Sequence, residues 1–142
     1  MTGLHAQAAV DVDAPPERVW QALTDPAEIA RYMMGSRVET TWEPGSPITW
    51  SGEWQGKPYQ DRGEVLEVEA PRRLAVTHWS PLTGEDDAPE NYHTVRYELS
   101  GADGGTRVTL DQDGCTSEEQ AEQFSRNWQG MLEGLKQVAE SR

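Results

Sequence analysis

Leu4, Ala6, Ala8, Val10 and Val12 alternate with His5, Gln7, Ala9 and Asp11, the period of two expected of a half-buried strand. The alternation stops at Pro15 and Pro16. Both suit the first turn of a helix, where a missing N–H costs nothing, and Glu17 beside them complements the helix dipole. Val19, Trp20 and Leu23 then form an inward face, with Trp20 assigned to the core as the anchor of this helix. Thr24-Asp25-Pro26 repeats the start signal and predicts a second short helix through Ile29 to about Met33.

From Arg37 onward, turn signals at Glu43-Pro44-Gly45, Gln55-Gly56-Lys57-Pro58, Ala70-Pro71, Pro81 to Pro89 and Gly101 to Gly105 punctuate six short alternating runs. Their phases read Val38, Thr40, Trp42; Ile48, Trp50, Gly52, Trp54; Leu74, Val76, His78; Val95, Tyr97, Leu99; and Val108, Leu110. An antiparallel sheet with one covered face is the natural product. Trp79 falls out of phase with His78, which leaves open which of the two faces inward. The stretch from Thr116 to Arg142 predicts one long helix, with Thr116 as N-cap and Glu119 completing a capping box. Its apolar positions Ala121, Phe124, Trp128, Met131, Leu132, Leu135 and Val138 recur at three and four. At roughly 37 Å it is long enough to cross a whole sheet. The expected architecture is α+β in the order β-α-α-β6-α, a single domain over residues 1–142.

Composition changes the picture of the core. Leu, Ile, Val and Phe make up only 22 of 142 residues, whereas six tryptophans and four tyrosines are present. Each buried Trp removes on the order of 150–250 Å² from water, so a tryptophan-built and incompletely filled core is expected. With 25 acidic against 12 basic residues and a net charge of -13, the surface repels phosphate backbones and anionic headgroups. Nucleic acid and membrane are therefore not expected partners. No run of 18 apolar residues and no signal-like N-terminus occurs, and the lone Cys115 has no partner for an internal disulfide. A cytoplasmic protein is the expectation.

Three segments carry a resemblance. They are Ala14-Pro15-Pro16-Glu17-Arg18-Val19-Trp20-Gln21-Ala22-Leu23-Thr24-Asp25-Pro26, the run from Gly63 to Leu74 ending near Trp79, and Gly104-Gly105-Thr106-Arg107-Val108-Thr109-Leu110. Together, and in this order, the sequence resembles the heat-shock-protein ATPase activator-like branch of the START/SRPBCC superfamily over nearly its whole length. The resemblance implies a helix-grip fold, like START domains and the birch-pollen allergen: a curved antiparallel sheet wrapped around the C-terminal helix. In many relatives the cavity between them holds an apolar or amphipathic molecule. The family shares no catalytic residues. The eukaryotic co-chaperone carries a further N-terminal domain for which a helix-grip chain of this length leaves no room, so chaperone activation is not expected.

Candidate chemistry is sparse. His78 and His93 flank the Pro81 to Pro89 loop on strands that could be neighbours, a spacing compatible with a shared metal, with an acid/base pair, or with two histidines bonded to backbone. His5 falls on the polar phase of the first strand. Asp111-Gln112-Asp113-Gly114 has only the opening of a calcium loop, without the full ligand series. Cys115 precedes the last helix, whose dipole could activate a thiol, although a buried inert cysteine is the simpler reading. Gly130 and Gly134 lie one turn apart on a flank of the last helix, where each costs about 1 kcal/mol relative to Ala; close approach of the sheet, space for a ligand, and plain tolerance all remain open. The acidic loop Gly84-Glu85-Asp86-Asp87-Ala88-Pro89-Glu90 reads as solvated and would disfavour anions if it borders a pocket.

The leading expectation is a binding protein for a small apolar or amphipathic molecule, with no cofactor and no metal. Met33, Trp42, Trp50, Trp54, Tyr59, His78, Tyr92, Trp128, Met131 and Leu135 are expected to line its cavity, though every one of them would also serve ordinary core packing. Two alternatives are a cyclase- or lyase-type enzyme using His78, Tyr92 or His93 as acid or base, and a co-chaperone-like or stress-related interaction module. A homodimer or a protein partner is compatible with each.

Overall fold

The computed structural model describes residues 4–33, 36–54, 56–80, 86–88, 91–102, 104–115 and 117–141, without the side chains of Trp54 and Ala102. The first alternating run forms strand β1 (Leu4–Val12), burying Ala6, Val10 and Val12. Helix α1 (Pro16–Thr24) begins at the double proline and buries Val19, Ala22 and Leu23. Thr106 Oγ1 donates to Ala14 O at 2.8 Å and so pins the chain where strand turns into helix. Helix α2 (Pro26–Tyr32) follows after Asp25, whose carboxylate accepts from Ala27 N at 2.9 Å as an N-cap.

Six strands come next: β2 (Arg37–Glu39), β3 (Pro47–Trp54), β4 (Lys57–Glu69), β5 (Arg73–His78), β6 (His93–Ala102) and β7 (Gly105–Cys115). They and β1 form one curved, seven-stranded antiparallel sheet in the order β1-β7-β6-β5-β4-β3-β2. Helix α3 (Glu118–Glu140) lies across its inner face. The α+β, β-α-α-β6-α helix grip is thus the observed fold. Within it Gly63 marks a position on β4 where the sheet closes tightly: a Cβ there would stand 1.8 Å from Thr77 O. Only glycine admits such an approach of one backbone to another.

Three expectations need correction. Strand β2 ends at Glu39, so Trp42 is not placed by strand alternation; it holds φ 61, a left-handed backbone that is rare for a bulky residue. The cap of α3 falls one residue later than expected. Ser117 Oγ accepts from Gln120 N at 3.0 Å, while Thr116 lies outside the described residues. The core is aliphatic, not tryptophan-built. Ile48, Leu110, Leu132, Leu135 and valines 19, 65, 95 and 108 are its largest fully buried side chains, whereas Trp20, Trp42, Trp50 and Trp128 are only half-buried against it and the buried Trp79 lies outside this cluster. Valines on alternating strand positions pack beneath a leucine stripe without needing the volume of an indole, which leaves the larger rings at the margins.

Helix α3 also covers the free edge of β1. Ser125 Oγ accepts from Gln7 N at 2.9 Å, and the Gln129 amide both accepts from Ala9 N at 3.2 Å and donates to Ala9 O at 2.8 Å. Further along, Lys136 Nζ donates to Asp11 O at 3.0 Å and Glu140 Oε2 accepts from Asp13 N at 2.7 Å. An edge strand exposes unpaired N–H and C=O groups that invite another chain. Here one flank of a helix, side chain by side chain, satisfies them.

Candidate functional site

Between the sheet and α3 lies a cavity of about 570 Å³. Met33 and Tyr32 from the end of α2 close one side, Phe124, Trp128 and Met131 from α3 another, and Tyr59, His78 and His93 form part of the sheet wall. Gly130 is on its wall with nothing within 4 Å of where a Cβ would stand, so this glycine leaves space. Gly134, one turn on, does the opposite: a Cβ there would meet Tyr32 Cβ at 2.9 Å, so it admits α2 and not the sheet.

Deeper in, a chamber of about 90 Å³ shares Met33, Ser36, Tyr59, His78 and Trp128 with the main cavity and adds Trp50, Asp61 and Tyr97. A void of about 30 Å³ beyond it reaches Trp42. The polar groups are paired in a definite way. Ser36 Oγ and Tyr59 Oη are 2.6 Å apart, His78 Nε2 meets Asp61 Oδ2 at 2.8 Å, and Trp128 Nε1 donates to the Gln112 amide oxygen at 2.6 Å. The Trp50 and His78 rings meet edge to face, with ring centroids 5.0 Å apart and an interplanar angle of 70°. Burial pushes the Tyr97 and Tyr32 phenols far above their ordinary 10.0, so both stay protonated across physiological pH.

Of the ten residues expected at a pocket, Met33, Tyr59, His78, Trp128 and Met131 line the main cavity. Trp50 lines the inner chamber and Trp42 the void behind it. Leu135 is wholly buried in the core and faces neither; on the helix it falls a full turn past Met131, over packed sheet. Tyr92 stacks on Trp79, centroids 6.2 Å apart, and donates to Asp87, while Arg62 sits over the same indole and pairs with Asp87 at 3.1 Å. It thus flanks the wall without lining it. The Trp54 side chain lies outside the description.

The His78/Trp79 ambiguity resolves as a division of labour. His78 turns toward Trp50 and Asp61, and Trp79 is buried beneath Tyr92 with its remaining surface on the main cavity. His78 and His93 are direct cross-strand partners, and His93 Nδ1 lies 3.2 Å from Asp113 O. No cluster of three or more metal-ligating side chains occurs among the described residues. Asp111 to Gly114 belong to β7, so they form a strand and not a cation-binding loop. The Cys115 thiol is buried at the end of β7, and burial raises its pKa, which lowers the reactive thiolate.

Sequence reasoning missed Asp61, Ser36 and Gln112, and it named His93 only as a candidate acid or base and not among the lining residues. The signal for three of these four was present. Asp61 shares its phase with Tyr59 and Val65 on β4, Gln112 with Val108 and Leu110 on β7, and His93 with Val95 on β6. A polar residue on the apolar phase of a strand is the mark of a site.

Residues 13–140 match the model of the family described as Activator of Hsp90 ATPase homolog 1-like protein. The chain belongs to this family. The solution structure of ChR145 from Cytophaga hutchinsonii is similar at 43% identity and a TM-score of 0.86, over 99% of this chain and 96% of that one. Protein MLL2253 from Mesorhizobium loti shares 23% identity and a TM-score of 0.73, over 95% and 96% of the two chains. The Aha1 dimer from Colwellia psychrerythraea shares 18% and 0.73, over 96% of each; at these two lower identities the likeness is one of fold alone. No functionally curated protein matches the sequence. Among the described residues no helix is long and apolar enough to cross a membrane.

Proposed function

We propose that this protein binds a small apolar or amphipathic molecule in the cavity between sheet and α3. The observation that supports the reading is the preformed space of about 570 Å³, within the usual range for small-molecule sites. Its walls combine Tyr, Trp, Met and Phe with a few paired polar groups. The experiment is native mass spectrometry of the protein purified from its own source, with Trp128 fluorescence read during titration of hydrophobic compounds. A copurifying ligand, absent from Gly130→Phe because the new ring occupies the open wall, is the expected result. Absence of any copurified mass, with no compound perturbing the fluorescence, removes the reading.

The 2.8 Å pair of His78 and Asp61 inside the cavity favours a second reading, acid–base chemistry on the bound molecule. An aspartate that fixes the orientation of an imidazole is a common preparation for proton transfer. This reading requires that a recovered ligand be converted on incubation, and that His78→Gln bind it without converting it.

A further inference from the structure

Two buried polar atoms on the cavity walls have no partner among the described residues, Trp79 Nε1 beside the main cavity and Asp61 Oδ1 in the inner chamber, and only the second is a charged-group acceptor. Asp61 Oδ2 is held by His78 Nε2, but Oδ1 is buried and meets no hydrogen-bond donor among the described residues. Its side chain is only 16% exposed. Buried polar atoms are nearly always satisfied, and an unmet carboxylate oxygen is among the costlier exceptions. Asp61 is held there firmly, since it is the cross-strand partner of Trp50 in the β3–β4 ladder and lies on the inward phase of β4. The chamber around it, about 90 Å³, has room for a small functional group, and it joins the larger cavity along the Tyr59, His78 and Trp128 walls.

We propose that the inner chamber is the head-group end of the ligand site and takes a hydrogen-bond donor, a hydroxyl or an amine, that bonds to Asp61 Oδ1 while an apolar body fills the outer cavity. The inference rests on the reading that this cavity binds a small molecule, and it adds the polarity of the ligand and its direction of entry. The neighbouring groups agree with an electroneutral or cationic head. The Ser36–Tyr59 hydroxyl pair stands on the same chamber wall, and the Tyr97 phenol there stays protonated because burial raises its pKa. A carboxylate or phosphate would be set against the Asp61 charge within a protein of net charge -13, with no Lys or Arg lining the chamber among the described residues.

The test is calorimetric titration of the wild-type protein with four probes that differ at one ring position: naphthalene, naphthol, naphthylmethylamine and naphthoate. Naphthol, naphthylmethylamine or both should bind about tenfold tighter than naphthalene, as a bond to a buried charged acceptor warrants, and naphthoate weakest. The two donor arms separate a neutral from a cationic head. In Asp61→Leu and Asp61→Ala, checked for an unchanged melting profile, the advantage over naphthalene should shrink to within about twofold. Naphthalene binding with no gain from either donor overturns this inference alone and leaves the cavity reading standing. A gain that survives both substitutions overturns it too. Failure of all four probes to bind overturns the inference, and together with the absence of any copurified mass it removes the cavity reading as well. If neither variant folds, Asp61→Asn, which keeps the shape of the side chain and removes its charge, takes their place, and the same loss of the donor advantage is expected.

Discussion

A methyl group added at position 130 and the same group added at position 134 have opposite consequences, although the two glycines sit one turn apart on α3. Both lose the roughly 1 kcal/mol by which glycine weakens a helix interior. At 130 the new Cβ meets nothing within 4 Å, at 134 it meets Tyr32 Cβ at 2.9 Å. Gly130→Ala should therefore raise stability by about 0.5–1 kcal/mol, whereas Gly134→Ala should lower it by about 1–3 kcal/mol as α2 is pushed away. Urea denaturation of the two variants checks this; equal shifts of one sign would show that neither environment matters. The pair also marks the limit of a one-dimensional reading. Helical spacing put both glycines on one flank, but only the position of Tyr32, a hundred residues earlier in the chain, separates a packing contact from open space.

At the scale of elements, α3 serves β1 as a neighbouring strand would. Glu140, near its end, accepts from Lys136 and from Asp13 N, and these bonds lower its pKa below the ordinary 4.5. A native carboxylate with a depressed pKa holds protons less readily than the unfolded one. Its contribution is therefore complete above about pH 4.5 and disappears as pH falls through the lower native value. Glu140→Gln should melt below wild type at neutral pH, with the gap closing as pH falls below 4.5 through the lower native pKa. Melting temperatures measured across that range test it, and a pH-independent gap would assign the effect to packing. Strand alternation was legible for β1, β6 and β7 because one face of each is buried and the other more exposed, the condition under which period two appears in sequence, whereas β5 buries Leu74, Ala75 and Val76 in succession and so covers both faces. The placement of Trp42 was not legible, since a left-handed residue after a three-residue strand leaves no periodic trace.

The whole molecule is locked at the point where its three helices meet. Arg18 of α1 donates to Val138 O at 2.9 Å and Ala139 O at 3.1 Å at the end of α3, and its guanidinium lies 2.8 Å from the Glu28 carboxylate of α2. No basic residue of α3 itself serves its last turn, so this arginine from elsewhere caps the helix and meets its dipole. The pair is only 11% and 13% exposed. Arg18→Ala should cost about 3–5 kcal/mol, since it strands a largely buried carboxylate, and Arg18→Ala/Glu28→Gln should recover part of that. Chemical denaturation of the single and double variants measures it; a loss under about 1 kcal/mol would place the interaction in the class of surface pairs.

By itself the sequence determined the order of elements, the antiparallel sheet and the long covering helix, because periodicity, proline position and turn chemistry are local and survive in one dimension, and the resemblance of three of its segments carried the family. It also placed Met33, Tyr59, His78, Trp128 and Met131 near a common space. Tertiary structure alone decided that the core is aliphatic with Trp20, Trp42, Trp50 and Trp128 at its margin, that Leu135 is packing, and that Asp61 stands inside the cavity with one oxygen unmet. The reason is physical: whether an inward side chain fills space or borders it depends on what approaches from the opposite layer. That is a property of residues brought together from distant parts of the chain.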